Sequence, residues 1–294
     1  MTKRELHAGA VGVNHVCMLR LDSHQHFWKY SSADYGWIDD AMLVLKRDFL
    51  PADLVSLLKK NGLDGSIAVQ ARQSLEETRW LLDLARENDF IRGVVGWVDL
   101  RSPQLNDRLD EFAGDTKLVG VRHVVQDEPD DQFMLQPEFR HGIAQLARYG
   151  LVYDLLLHPR HLPIAVELVR EFPAQSFVLD HIAKPPIAAG TLETWSRDIR
   201  ALAQFPNVAC KLSGMVTEAR WHAWKQDDFT PYLDVVAESF GPSRLMIGSD
   251  WPVCTLSADY ETTMQIVRDR IAGLSAEDQD AILGGNCARI YRRV

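Results

Sequence analysis

Two histidines one residue apart, His24 and His26, end the apolar approach Leu19-Arg20-Leu21-Asp22-Ser23. In an extended strand, residues i and i+2 project to the same side, so both imidazoles can aim at one point. A neutral imidazole is the commonest metal-ligating side chain and a ready proton carrier. An arbitrary His-x-His is more often a hydrogen-bonded or surface pair, so the rest of the chain must supply its partners. Asp250, in Gly248-Ser249-Asp250-Trp251-Pro252, adds a carboxylate. Two imidazoles and a carboxylate form a coherent set for binding a metal or for direct catalysis. His181 is a fourth ligand, a general acid or base, or a hydrogen-bonded core histidine. His158, just before Pro159, is a further catalytic candidate. Arg72, Arg122 and Lys184 can each hold a carbonyl or hydroxyl, or equally pair with Asp99, Asp154 or Asp180. His7, His15, His141, His161 and His222 lack comparable placement and read as surface or packing residues.

Positioning such groups is the work of the elements around them. Eight short apolar runs recur: the approach to His24, then 66–70, 91–98, 118–125, 151–157, 177–182, 208–212 and 245–248. Helical patterns alternate with them at 51–60, 75–85, 103–112, 137–149, 162–172, 192–205 and 231–240. Ser74 and Glu77 have capping-box spacing, and a last helix is expected from a cap at Ser275 through Leu283. Continuous apolar strands are buried on both faces, as in parallel sheets, and β-then-α alternation selects an α/β architecture. Eight units favour a closed (β/α)8 TIM barrel, with residues 18–294 as one domain. Catalytic groups in such barrels come from the C-terminal strand ends. Those ends carry Gln70 and Arg72, Trp97 and Asp99, Arg122 and His123, Asp154, then Asp180, His181 and Lys184, then Lys211 and Ser213, then Asp250 and Trp251. Burying unpaired polar groups is costly, so polar residues gathered at one end of apolar runs point to a site.

The aromatic stretch Trp28, Tyr35 and Trp37 either lines a cleft or forms a satellite packing cluster. Trp221, Trp224 and Phe229 read as a contact patch, a lid or core packing. The chain has 294 residues, 46% hydrophobic and 25% charged, with a formal net charge of −9. That balance suits a globular protein and argues against nucleic-acid or anionic-membrane partners, which call for basic patches. Oligomeric state is left open. Four cysteines without a C-x-x-C pair read as reduced thiols in a cytoplasmic protein. No run approaches a membrane span. Residues 1–17 make a poor signal peptide, because Asn14 and His15 interrupt the apolar run, and are expected to be a dispensable, disordered extension.

Asp22-Ser23-His24-Gln25-His26-Phe27-Trp28, the Gly-Ser-Asp-Trp-Pro run at 248–252 and the closing Gly285-Asn286-Cys287-Ala288-Arg289-Ile290-Tyr291 resemble the amidohydrolase superfamily. The resemblance is strongest to its amidohydrolase-related branch of sugar-lactone hydrolases, among them L-fuconolactone and L-rhamnonolactone hydrolases. It implies a barrel with one divalent metal, usually zinc, on His24, His26, His181 and Asp250. Strand four offers Arg122 and His123 where binuclear relatives carry a carboxylated lysine, which speaks against a second metal. The implied reaction is attack of an activated water on a sugar (aldono) lactone, with Asp250 as general base and His158, His181 or Arg72 stabilising the oxyanion. Trp28, Trp97 and Trp251 are expected to stack on the sugar, with Gln70, Arg72, His123 and Lys184 reading its polar groups. The rival on the same scaffold is a metal-dependent decarboxylase of an aromatic or enol acid. A sugar-binding protein without turnover has no need of the His-x-His and Asp.

Overall fold

The structure, a computed structural model, describes residues 18–292. The expectation for residues 1–17 lies outside the described residues. Eight parallel strands follow one another in chain order: β1 Leu21–Gln25, β2 Gly65–Val69, β3 Ile91–Gly96, β4 Leu118–His123, β5 Val152–Leu155, β6 Phe177–Leu179, β7 Val208–Leu212 and β8 Leu245–Ile247. Closure between β8 and β1 is made at the C-terminal mouth. There the His26 amide donates to the Trp251 carbonyl (2.7 Å), and the Asp250 amide donates to the His24 carbonyl (2.8 Å). The ring is the expected (β/α)8 barrel, with helices on its outside.

The period of two along each strand sorts the side chains. Val152, Val178 and Ala209 face inward and pack with Ile67, Val69, Val95 and Met246 in an inner apolar layer. Their outward neighbours Tyr153, Phe177, Leu179, Val208 and Cys210 join the larger core between strands and helices. Two residues further along, on the inward side, stand Asp154, Asp180 and Lys211, all fully buried. The barrel interior therefore changes from apolar to charged on the way to the mouth.

The helices are α1 Pro51–Lys60, α2 Leu75–Glu87, α3 Leu105–Phe112, α4 Pro137–Leu146, α5 Leu162–Glu171, α6 Glu193–Leu202, α7 Met215–Glu218, α8 Thr230–Phe240, α9 Tyr260–Ile271, α10 Ala276–Asp280 and α11 Asn286–Tyr291. Three expectations need correction. Helix α9 is absent from the sequence reading; Asp259 caps it by accepting from the Thr262 amide at 2.7 Å. The helix expected from the Ser275 cap to Leu283 is α-helical to Asp280 and widens to a π-helix over Ala281–Gly285, leaving helical geometry at Gly284, where a side chain would meet the Leu19 carbonyl. The capping box at Ser74 is half formed. Ser74 Oγ accepts from the Glu77 amide (3.1 Å), but the Glu77 carboxylate turns to the Ala71 and Arg72 amides at 3.0 and 2.7 Å. The aromatic loop after β1 both packs and lines. Trp28 is antiparallel to Phe49 and fully buried, while Trp28 and Trp37 also face the cavity at the mouth.

Candidate active site

Four side chains converge at the barrel mouth. His24 Nε2 lies 3.2 Å from His26 Nε2, and Asp250 Oδ1 lies 3.3 Å from His26 Nε2 and 3.8 Å from Nε2 of both His24 and His181. Strands β1 and β8 are neighbours only because the sheet closes, and closure is what joins Asp250 to the His-x-His pair. Hydrogen bonds behind the rings hold His26 and His181. His26 Nδ1 donates to the Val69 carbonyl at 2.8 Å, which leaves its Nε2 lone pair facing the cluster. His181 Nδ1 hydrogen-bonds Ser213 Oγ at 2.9 Å. Asp22, under the mouth, accepts from the Ser249 hydroxyl (2.6 Å) and amide (2.9 Å), the His24 amide (3.1 Å) and the Tyr260 hydroxyl (2.9 Å), and so ties β1 to the β8 loop and to α9.

Beneath the cluster lies a buried charged layer. Lys211 Nζ is 2.5 Å from Asp154 Oδ2, 3.0 Å from Asp180 Oδ1 and 3.2 Å from His24 Nδ1. Arg122 Nη1 donates to Asp180 Oδ2 at 2.9 Å and approaches His24 Nε2 at 3.3 Å. Burial pushes His24 well below the ordinary imidazole range against the pull of Asp180, and it pushes His181 down to about 4 against Asp250. Both rings are therefore neutral at pH 7. Burial alone would raise the Asp250 carboxyl, but the imidazoles around it, His181 foremost, hold it well below the carboxylate range. Burial lifts Asp154 to about 6 despite Lys211, while Lys211, His24 and Arg122 draw Asp180 well down against the same effect.

The cluster opens into a cavity of about 660 Å3. Of the residues singled out from sequence, His26, Trp28, Arg72, Arg122, His181, Lys184 and Asp250 line it. His24 sits directly behind, fully buried. The others stand elsewhere. Gln70 is fully buried and donates to the Arg122 carbonyl at 3.3 Å. Trp97 donates its indole N–H to His123 Nδ1 (3.3 Å), and His123 Nε2 meets Glu128 at 2.6 Å, so the two face each other away from the cavity wall. Trp251 is buried edge-on against Phe27 and Phe49. His158 is half-buried and its amide donates to His161 Nδ1 at 3.2 Å; burial, then the charge of Lys184, lower it to about 4. The cations also choose their partners: Arg122 takes Asp180, Arg72 takes Asp34 at 2.9 Å, and Asp154 goes to Lys211. Trp221 lines the cavity, whereas Trp224 donates to Ser257 Oγ (3.0 Å) and packs on buried Phe229.

Sequence reasoning missed cavity-lining carboxylates, among them Asp34 and Glu218. Glu218 ends the single turn α7, and burial raises its carboxyl against the pull of Lys184. Neither sits at a strand end, and no local pattern marks them. Lys211 had a usable signal, since a lysine inside an apolar strand requires buried counter-charges.

The donor set fits a divalent metal. Two ligands held at ~2.05 Å in tetrahedral geometry sit about 3.3 Å apart, close to the 3.2 and 3.3 Å separations here. His24, His26 and Asp250 offer ligand atoms within 4.8 Å of one another, and so do His24, Asp180 and His181. Two imidazole nitrogens and a carboxylate oxygen at such spacing suit a shared cation.

Fold and site together define a (β/α)8 barrel with a histidine–carboxylate centre at its mouth. The chain belongs to the Amidohydrolase family, whose pattern matches residues 21–293. It is similar to an L-fucono-1,5-lactonase of Burkholderia multivorans, 45% identical over 284 residues that span 93% of this chain and 96% of that one. It is also similar to an L-fucono-1,5-lactonase of Burkholderia ambifaria, at 39% over 279 residues, 93% of this chain and 95% of the relative. The crystal structure of a Burkholderia multivorans amidohydrolase with bound zinc superposes with a TM-score of 0.90, at 45% identity, over 93% of this chain and 99% of that one.

Proposed function

We propose that this chain is a sugar-lactone hydrolase acting on a 1,5-lactone of the L-fuconic type. The observation that carries the reading is the likeness, through nearly the whole chain, to L-fucono-1,5-lactonases, in a protein whose own imidazoles and Asp250 converge at the base of a sugar-sized cavity.

Lactone opening needs a water nucleophile, relief of negative charge on the carbonyl oxygen and a proton for the leaving ring oxygen. Asp250, an ionised carboxylate at the cavity floor, takes the proton of the attacking water and returns it to the ring oxygen as the acyl bond breaks. Without a metal, His181, neutral and anchored by Ser213, faces the same space and can donate to the carbonyl oxygen. Arg72 with Asp34, Lys184 and Glu218 offer donors and acceptors for hydroxyls, and Trp28, Trp37 and Trp221 supply apolar wall. His158 is not among the residues lining this cavity, and we assign it no direct step. His24, His26, His181 and Asp250 would hold a divalent metal, which we take to be zinc; when bound, it polarises the carbonyl and acidifies water. We place the enzyme in the cytoplasm, in carbohydrate breakdown; among the described residues no helix is long and apolar enough to cross a membrane.

The decarboxylase alternative calls for free cations on a substrate carboxylate. Arg122 is held by Asp180 and Arg72 by Asp34, which disfavours it. The test is proton release in weak buffer on L-fucono-, L-rhamnono- and L-galactonolactone, with chelator and with zinc restored. Fastest turnover is expected on the L-fucono-1,5-lactone. Turnover lost to chelator and regained with zinc assigns the charge on the carbonyl to the metal, and turnover that survives assigns it to His181. Folded, zinc-supplied protein that opens none of the three overturns the proposal.

A further inference from the structure

The Lys211 ammonium has three N–H donors and no acceptor. Three acceptors surround it: Asp154 Oδ2, Asp180 Oδ1 and His24 Nδ1, at 2.5, 3.0 and 3.2 Å. All four residues are fully buried. The place of Lys211 thus depends on the place of Asp154, and Asp154 is gripped from below. The Tyr291 hydroxyl donates to it, 2.9 Å from Oδ2 and 3.1 Å from Oδ1. Tyr291 is the last residue of α11. With Cys287 it packs into the inner apolar layer beside Val152, Val178 and Ala209, closing the barrel floor. The Lys211 nitrogen stands 5.5 Å from its ring centroid. A hydroxyl on the C-terminal helix therefore reaches through the floor into the charged layer, three contacts from the histidine cluster.

We propose that Tyr291 is a positioning residue for the active site: by holding Asp154 it sets the place of Lys211 and, through Lys211, the tautomer and tilt of His24. Two groups compete for one nitrogen. Lys211 donates to His24 Nδ1, which leaves the ring proton on Nε2. Asp180 Oδ1, 3.3 Å from the same Nδ1, favours the opposite tautomer, whose Nε2 lone pair can accept from Arg122 Nη1, also at 3.3 Å. A small displacement of Lys211 decides which of the two His24 presents. Partners of this kind behind a catalytic or ligating histidine fix its orientation and basicity.

Tyr291→Phe keeps the ring and removes only the hydroxyl. The full chain carrying it should lose about 10-fold in kcat on the best lactone, the size of effect seen when such supporting partners are removed, with KM unchanged. The 15N-histidine spectrum should change at the His24 ring signals, identified by their loss in His24→Gln. Cys287→Ala, in the same floor layer, should leave kcat and the His24 signals unchanged. Should Tyr291→Phe fail to fold, Asp154→Asn tests the same link and should give the same kcat loss and spectral change. The kinetic arm rests on the lactonase reading and the spectral arm does not. Wild-type protein silent on lactones, with a His24 signal that still responds to Tyr291→Phe, condemns the substrate assignment alone. Wild-type kcat and His24 signals in Tyr291→Phe, or equal changes in Cys287→Ala, overturn the proposal.

Discussion

Asp250 is the proposed general base. Its backbone takes the left-handed conformation (φ 57°), which a non-glycine residue adopts only under constraint, and its amide is pinned to the His24 carbonyl. The turn brings Oδ1 within 3.8 Å of three imidazole nitrogens. Asparagine has the same shape but cannot accept a proton at neutral pH. Asp250→Asn is therefore expected to lower kcat by about 10²–10⁴, the usual contribution of a positioned general base, with the circular dichroism spectrum intact. Near-normal turnover in that folded variant would remove Asp250 from the mechanism. Arg122 and Lys211, although charged and close, are committed to Asp180 and Asp154. Both also stand within 3.3 Å of a His24 ring nitrogen.

The element that delivers His181 is the turn after β6. His181, Ile182, Ala183 and Lys184 all have positive φ, between 47° and 59°. Left-handed backbone costs L-residues roughly 1–2 kcal/mol each, so the turn must be held by its surroundings. The Trp195 indole donates to the Ile182 carbonyl (2.8 Å), the Lys184 amide closes on the His181 carbonyl (2.8 Å), and Ser213 fixes the imidazole. Gly214, at φ +64°, leaves the room the ring occupies: a Cβ there would fall 2.5 Å from His181 Nδ1. Gly214→Ala should destabilise the fold by about 1–3 kcal/mol and depress turnover, because the ring must move. Gly273→Ala, where a Cβ meets nothing within 4 Å, is the neutral comparison. Urea unfolding of both variants checks this, and equal midpoints would show that the turn tolerates the displacement.

Across the fold, a half-buried histidine makes stability depend on pH. His158 is lowered to about 4 by burial and by Lys184, from an ordinary 6.5. Between those values the unfolded chain binds more protons than the native one, so stability falls as pH drops from 6.5 toward 4. Above 6.5 this contribution is fully present and constant. His158→Gln should flatten the dependence of melting temperature on pH between 6.5 and 4 and leave its shape above 6.5 unchanged. Thermal melts across that range decide it, and parallel curves for the two proteins would refute it.

The barrel was legible in the chain because strands buried on both faces are written as apolar runs and the helices between them carry caps and apolar stripes. The His24, His26, His181 and Asp250 set was legible because barrel chemistry gathers at strand ends, and closure makes the first and last strands neighbours. What the linear pattern leaves undetermined is direction. A strand end states where a side chain starts and not whether it faces inward. Register shifts between β1 and β2, β2 and β3, and β3 and β4 reset the alternation there, and a one-residue shift sends a side chain to the other face. That is why Arg122 enters the site while Trp97 and His123 leave it for each other. The pairing of Lys211 with Asp154 and Asp180, the reach of Tyr291 through the floor and the arrival of Asp34 and Glu218 at the cavity join residues distant in the chain. No local propensity encodes such contacts; they exist only once the closed sheet brings its strands and the C-terminal helix around one interior.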